Sequence, residues 1–391
     1  MLLLALPVLW AACDSPRRYG ASTGIGAGPR PAPLLQHRPP TLELTFVGDI
    51  MAHTPHQRMP APELIYREVS GVLQSDDLTF ANLEFPIDDA APQATYPSFN
   101  AHSPFARAAV EAGVDVLSVA NNHSFDQGLP GVVGTRRALA AITGQVGRPW
   151  ISGIRSNPSV PFVPTLIEHR GWVIGYLAAT QHANLKAGAE PYVHIVDYDD
   201  AAQVERFLSG VRAAAPSFDL LIVSYHGGVE LAATPEPAKL AFFEGVIRAG
   251  ADIVHGHHPH VLQPVSRPWR AGSQKLIMSS TGNLISGMAM PVGADAPDDR
   301  RAPAGDSALF RVTVEWGRAG ADVSGVTQQL ITNYRDPSGN VVIGWLARVA
   351  TDVPPPWRPF YAERLRQMER RYCPPCSPVP GQHRWLVRAD L

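Results

Sequence analysis

Short apolar and β-branched runs alternate with amphipathic segments along most of this chain, and each run closes on a residue that can carry chemistry. The runs are Leu42-Glu-Leu-Thr-Phe-Val-Gly-Asp49, Leu78-Thr-Phe-Ala-Asn-Leu-Glu84, Val114-Asp-Val-Leu-Ser-Val-Ala120, Phe218-Asp-Leu-Leu-Ile-Val-Ser224 and Ala251-Asp-Ile-Val254. Residues 62–74, 104–112, 129–142, 201–214 and 234–249 read as the intervening helices, the last capped by Thr234. Alternation of this kind predicts an α/β fold. Open α/β folds place ligands just past the C-terminal ends of their strands.

The densest strand end is His255-Gly-His-His-Pro-His260, with four of the chain's 14 histidines. Neutral imidazole is the commonest nitrogen ligand of transition metals, so the run points to a metal site; a solvated histidine turn is the plain alternative. Other strand ends offer partners. Asp49 follows Gly48, Glu84 precedes a Phe-Pro turn, Asn122, His123 and Asp126 share one loop, and His226 precedes two glycines. Asp49, Glu84, Asn122, His226, His258 and His260 together suit two Mn, Fe or Zn ions with one carboxylate bridging. Paired ions acidify a bridging water and clamp the attacking and leaving oxygens. His123 then stands as general acid, with Asp126 as its catalytic companion, and His53 and His257 as additional ligands. His169, His182 and His194 lie on or near β segments and read as structural.

The ends of the chain differ from its middle. Residues 1–12 are apolar but too few to span a bilayer, which reads as a signal peptide. Leu9-Trp-Ala-Ala-Cys13 resembles a lipobox, although Trp10 is bulky and no Lys or Arg precedes it, and lipidation is expected at Cys13. Residues 13–40, rich in Pro, Gly, Ala and Ser, read as a flexible tether. The main domain is expected over 41–350, and a C-terminal helix with a Cys373-Pro-Pro-Cys376 tail over 351–391. Those two cysteines fit a disulfide staple or an incidental pair better than a redox motif, because an amphipathic helix precedes them and Pro-rich chain follows, where a thioredoxin-type site would open a helix. Within the domain, 275–285 reads as one strand and turn, 287–306 as a mobile surface loop, and 307–314, 323–333 and 340–348 as antiparallel strands. Arg364 to Arg371 reads as the solvated face of a helix over 357–372. The 33 basic residues are scattered against 35 acidic ones, which argues against nucleic acid as a partner.

Taken together, Phe46-Val-Gly-Asp-Ile-Met51, Ala81-Asn-Leu-Glu-Phe-Pro-Ile87, Ala120-Asn-Asn-His-Ser-Phe-Asp-Gln-Gly128, His226-Gly-Gly-Val-Glu230, Gly256-His-His-Pro-His-Val-Leu-Gln263 and Ser280-Thr-Gly-Asn-Leu284 resemble the CapA family of capsule and poly-γ-glutamate biosynthesis proteins. That family's fold is related to the calcineurin-like metallophosphoesterases. The resemblance implies a four-layer α/β/β/α sandwich with a metal site where the strand-end loops meet. In the wider phosphoesterase pattern Asp49 matches the first Asp, but Met51 stands where a His belongs. Glu84 takes the place of the bridging Asp, Asn122 and His123 match the amide ligand and the general acid, and His226 matches the isolated ligand. His258-Pro-His260 matches the closing His-x-His, with His257 leaving the register open by one. The implied function is a two-metal hydrolase or transferase of capsule or poly-γ-glutamate synthesis, using a hydroxide between the ions. The implied setting is an exported bacterial protein, lipid-anchored at the cell membrane and facing the periplasm or exterior. Implied partners are an anionic capsular polymer or its precursor and other capsule-synthesis membrane subunits. The alternative is a non-catalytic scaffold or polymer-binding subunit with the same fold.

Overall fold

The computed structural model describes residues 40–289, 301–372, 376–378 and 385–387. The signal peptide, the tether as far as residue 39, Cys13, Cys373 and the side chain of Cys376 lie outside them.

Two sheets face each other. In the first, ten-stranded sheet, β1 (Leu42–Ile50), β2 (Leu78–Leu83), β3 (Val114–Ser118) and β4 (Trp150–Ser152) run parallel. In the second, six-stranded sheet, β5 (Thr165–His169) pairs antiparallel with β6 (Trp172–Thr180), and β7 (Leu220–His226) and β8 (Ile253–His257) continue it in parallel. β9 (Val265–Ser266) closes that sheet, and β10 (Trp269–Arg270) and β11 (Ser273–Gln274) form a separate ribbon. β12 (Leu276–Met278) lies between β8 and β9, whereas β13 (Asn283–Ile285) belongs to the first sheet, parallel to β1. The hairpin of β14 (Asp306–Gly317) and β15 (Gly320–Arg335) extends the first sheet on the far side of β1. β16 (Val341–Trp345), β17 (Cys376–Pro378) and β18 (Trp385–Val387) complete it.

The strands' two-residue period puts one apolar set between the sheets and the other under helices. Between the sheets, Phe46 stacks on Phe80 at 4.8 Å and Phe80 meets Tyr176 at 5.5 Å. Over the second sheet, Phe207 and Val211 of a helix at Ala201–Ala214 and Phe242, Phe243 and Val246 of one at Pro237–Ala249 cover Leu177, Leu221, Val223 and Tyr225. Over the first, helices Ser103–Glu111 and Gly128–Val146 bury Phe105, Ala109, Val132 and Leu139 in the main core. The result is the four-layer α/β/β/α sandwich. Among the described residues no helix is long and apolar enough to cross a membrane.

Several local expectations change. Residues 62–74 form a 3₁₀ turn, Pro62–Tyr66, and a short helix, Ser70–Leu73, because Ser70 and Gly71 are weak helix formers. Thr234 lies outside its helix: Glu236 precedes Pro237, takes an extended backbone with ψ 149°, and so delays the start. The helix opened by Pro130 runs on to Val146. Residues 275–285 are two strands in two sheets, joined through Gly282 at φ 69°. β1 and this crossing are so close that a Cβ on Gly48 would stand 2.0 Å from the Gly282 carbonyl oxygen. Residues 346–348 belong to a helix, Leu346–Asp352, and not to the strand before it. The described ends of 287–306 are packed, not mobile surface: Ala289, Ala302 and Ala304 are buried, and 290–300 lies outside the described residues.

One polar contact ties a helix to the turn that carries Glu84. Thr135 accepts the Ile87 N–H at 2.8 Å and donates to Gly131 O at 2.8 Å. Thr135→Val keeps the shape but leaves that buried N–H unpaired, an expected loss of about 1–3 kcal/mol. A fall in the urea midpoint at unchanged slope would register it; an unchanged midpoint would not fit.

Candidate metal centre

The first sheet delivers oxygens. A register shift in β1 after Phe46 brings Asp49 level with Asn82 of β2 and Asn283 of β13. Asn82 Nδ2 donates to Asp49 Oδ1 at 2.9 Å and stands 3.4 Å from Glu84 Oε2, so one amide spaces the two carboxylates. Asn121 Nδ2 donates to Asn82 Oδ1 at 3.1 Å and to Leu83 O at 2.8 Å, which fixes the loop that presents Asn122 and His123. Asp49 and Glu84 have no exposed surface.

The second sheet delivers nitrogens. His226, at the end of β7, has Nε2 2.8 Å from Asn122 Oδ1 and 3.5 Å from Glu84 Oε1. His258 Nδ1 lies 3.1 Å from that same Nε2. His257 Nδ1 stands 2.9 Å from Asp49 Oδ1. His260 Nδ1 is 3.3 Å from Asp49 Oδ2 and 3.0 Å from Asn283 Oδ1, with Nε2 3.7 Å from Glu84 Oε1. His258 and His260 hold φ at 93° and 58°, a costly backbone for residues with a side chain and one that concentrates at functional sites. His255 turns away, its Nε2 3.0 Å from Val47 O, and serves the core.

Burial dominates the electrostatics of this cluster. It drives the His226 and His258 imidazoles well below their usual range and Glu84 well above the usual carboxylate range. Burial would raise Asp49 too, but His257 and His260 beside it hold it well below. Burial opposes a charged His260, yet Glu84 and Asp49 push its pKa up to about 10. A divalent cation suits such a place better than a proton, since ligands bind metal only when deprotonated. Two further observations fit a cation. Glu84 Oε1 and His257 Nε2 are buried without a hydrogen-bond partner, and two imidazole nitrogens confront each other across 3.1 Å. Asp49, Glu84 and His226 offer ligand atoms within 4.8 Å of one another, as do Glu230, His258 and His260.

His123 stands beside this cluster. Its Nδ1 lies 2.6 Å from Asp126 Oδ2, which also accepts the Phe99 N–H at 2.8 Å, and the Phe99 ring meets the His123 ring edge-on at 4.6 Å. His123, His260, Met51, His53, Glu230 and Arg301 line a cavity of about 290 Å³. His53 falls in neither group of ligand atoms: its Nδ1 accepts the Gly287 N–H at 3.2 Å. Met51 is buried, with its sulfur 3.7 Å from Ser286 Oγ. His194 is tied to Ala178 O at 2.9 Å and His169 Nε2 lies 3.6 Å from Asp77, but the His182 ring meets that of His258 edge-on at 5.6 Å. Asn82, Asn121, Asn283 and Glu230 were not singled out in the sequence. The asparagines' signal was weak, since turns favour that residue anyway; Glu230 was visible in His226-Gly-Gly-Val-Glu230 as a carboxylate after a strand end.

The profile of a bacterial capsule synthesis protein family, PGA_cap, matches residues 43–288. The chain is 27% identical over 279 residues to the capsule biosynthesis protein CapA of Bacillus anthracis, across 68% of this chain and 64% of that protein. It is 24% identical over 255 residues to the PGA biosynthesis protein CapA of Bacillus subtilis, across 62% of this chain and 63% of that one. Each match thus spans under two thirds of the relative's length. A solved calcineurin-like phosphoesterase, YfkN of Bacillus subtilis, aligns at a TM-score of 0.42 and 15% identity over 78% of this chain and 93% of its own.

Proposed function

The chain belongs to the bacterial capsule synthesis protein family PGA_cap, and from that premise we propose that it is a metal-dependent hydrolase or transferase of capsule or poly-γ-glutamate synthesis at the cell envelope. One observation carries the reading: two carboxylates, an amide and three imidazoles converge from both sheets in one buried cluster, where Glu84 Oε1 has no hydrogen-bond partner and lies 3.5 Å from His226 Nε2 and 3.7 Å from His260 Nε2. Asp49, Glu84, Asn122, His226, His258 and His260 would hold two divalent cations of the Mn, Fe or Zn kind, with His257 beside Asp49. Bound there, the cations would supply Lewis-acid polarisation of the substrate and acidify a water. His123 acts on the leaving group: with Nδ1–H committed to Asp126, Nε2 is the nitrogen free to deliver a proton. The cavity walled by His53, His123, His260 and Arg301 suits an anionic substrate, such as the capsular polymer or its precursor. Lipidation at Cys13 would keep the site at the membrane surface, in reach of capsule-synthesis membrane subunits.

The test joins metal analysis to polymer assay. Purified protein is expected to carry Mn, Fe or Zn, and Asp49→Ala to lose both the cation and polymer synthesis when it replaces the native chain. Protein devoid of these metals, together with normal polymer from an Asp49→Ala strain, would sink the proposal. Full complementation by a His123→Ala, Glu84→Ala double variant would put a non-catalytic, polymer-binding scaffold in its place.

A further inference from the structure

Met51 raises a question of coordination. It occupies the place where the phosphoesterase pattern supplies an imidazole, and a buried thioether is a poor ligand for a hard divalent cation. His53 does not make up the loss, because its Nδ1 is engaged by the Gly287 N–H and it joins neither group of ligand atoms. Glu230 lies on the other wall of the same cavity. Its carboxylate approaches His258 and His260 so that one ligand atom from each lies within 4.8 Å of the others.

This placement is built into the fold. Glu230 sits on the loop after β7, and the next residue, Leu231, donates its N–H to Pro259 O at 2.8 Å, between the two histidines. Gly227 N donates to His257 O at 3.2 Å, and Gly228 N to Gln181 Oε1 at 3.0 Å. Two backbone hydrogen bonds therefore pin the loop against the histidine run, and the Gln181 side chain holds it from the β6 side. Glu230 is exposed and its carboxylate can adjust, whereas Glu84 Oε1 is buried and without a hydrogen-bond partner.

We propose that Glu230 is a metal ligand, supplying to the cation beside His260 the donor that Met51 does not. The assignment rests on the two-cation reading above. It exchanges an imidazole for a carboxylate, which hardens that position and shifts its preference from Zn²⁺ towards Mn²⁺.

The experiment strips the purified full chain with a chelator, reloads it with Mn²⁺ or Zn²⁺ alone, and reads stoichiometry by elemental analysis and affinity by calorimetry. Wild type is expected to bind two Mn²⁺ per chain. Glu230→Gln should retain one and bind the second at least about tenfold more weakly, the lower bound for disturbing a ligand's own support. Glu230→Asp should recover most of that loss. Met51→His added to Glu230→Gln should restore the second ion with Zn²⁺ now preferred. Two Mn²⁺ bound by Glu230→Gln with wild-type affinity overturn the assignment alone. A wild-type chain that binds neither ion removes the two-cation reading as well. Unchanged thermal unfolding of the stripped variants separates these results from misfolding.

Discussion

His123→Ala is expected to lower turnover by roughly 10²–10⁴-fold while the protein keeps its full metal content. The ring's surroundings set this expectation. Asp126 Oδ2 lies 2.6 Å from Nδ1 and is itself oriented by the Phe99 N–H, so the imidazole has one orientation and one nitrogen left for a substrate. The Phe99 ring packs edge-on against the imidazole at 4.6 Å. Because Asn82 and Asn121 join the His123 loop to the carboxylates by hydrogen bonds, removing the ring beyond Cβ leaves the cluster's scaffold in place. Asp126→Asn should lie between wild type and His123→Ala, since it keeps an acceptor but loses the charge that steadies an imidazolium. Rate measured against pH separates roles: an acid catalyst contributes a limb to the profile, and a profile unchanged by His123→Ala would exclude proton delivery from this residue.

Arg364→Ala is expected to destabilise the protein by about 3–5 kcal/mol, the usual result of leaving one member of a buried ion pair alone. In the sequence Arg364 reads as part of a solvated helix face; in the fold the helix at Arg358–Tyr372 turns it inward, where Nε donates to Asp306 Oδ2 at 2.6 Å. Both residues are buried, and burial pushes Asp306 above the usual carboxylate range despite the guanidinium. The pair braces the first strand residue after the 302–305 turn, whose Ala304 O accepts from the same Asn283 that touches His260. Arg364→Met combined with Asp306→Asn should recover much of the loss, because neither partner is then an uncompensated charge. Equal denaturation midpoints for Arg364→Ala and wild type would show that the pair contributes nothing.

Residues on the ends of strands were legible because two signals coincide there: an apolar run stops, and a group with acid–base or ligand chemistry follows. Asp49, Glu84, Asn122, His226, His258 and His260 share this pattern, and the fold does bring them together. What pairs with what was not legible. Leu276–Met278 and Asn283–Ile285 have the same apolar character, and nothing local assigns them to different sheets. Arg364 illustrates the same limit, since its partner is 58 residues away and a run of arginines looks alike on either face of a helix. The break within 62–74 follows from the weak helix formers Ser70 and Gly71, beside Glu68, which accepts from the Tyr334 hydroxyl at 2.7 Å. β18 pairs with β15 across a long stretch of sequence, which composition alone hid among prolines.

The division of donors between the sheets would also order metal capture relative to folding. Asp49, Glu84 and Asn122 come from one sheet; His226, His258 and His260 come from the other and are read later in the chain. A nascent chain that has emerged only through β4 displays Asp49, Glu84 and Asn122 without His226, His258 and His260. Capture of a cation by the full set would therefore wait until the second sheet has docked on the first. A cation seated there would make separation of the two sheets coincide with its own release, so resistance to unfolding is expected to rise with free metal concentration.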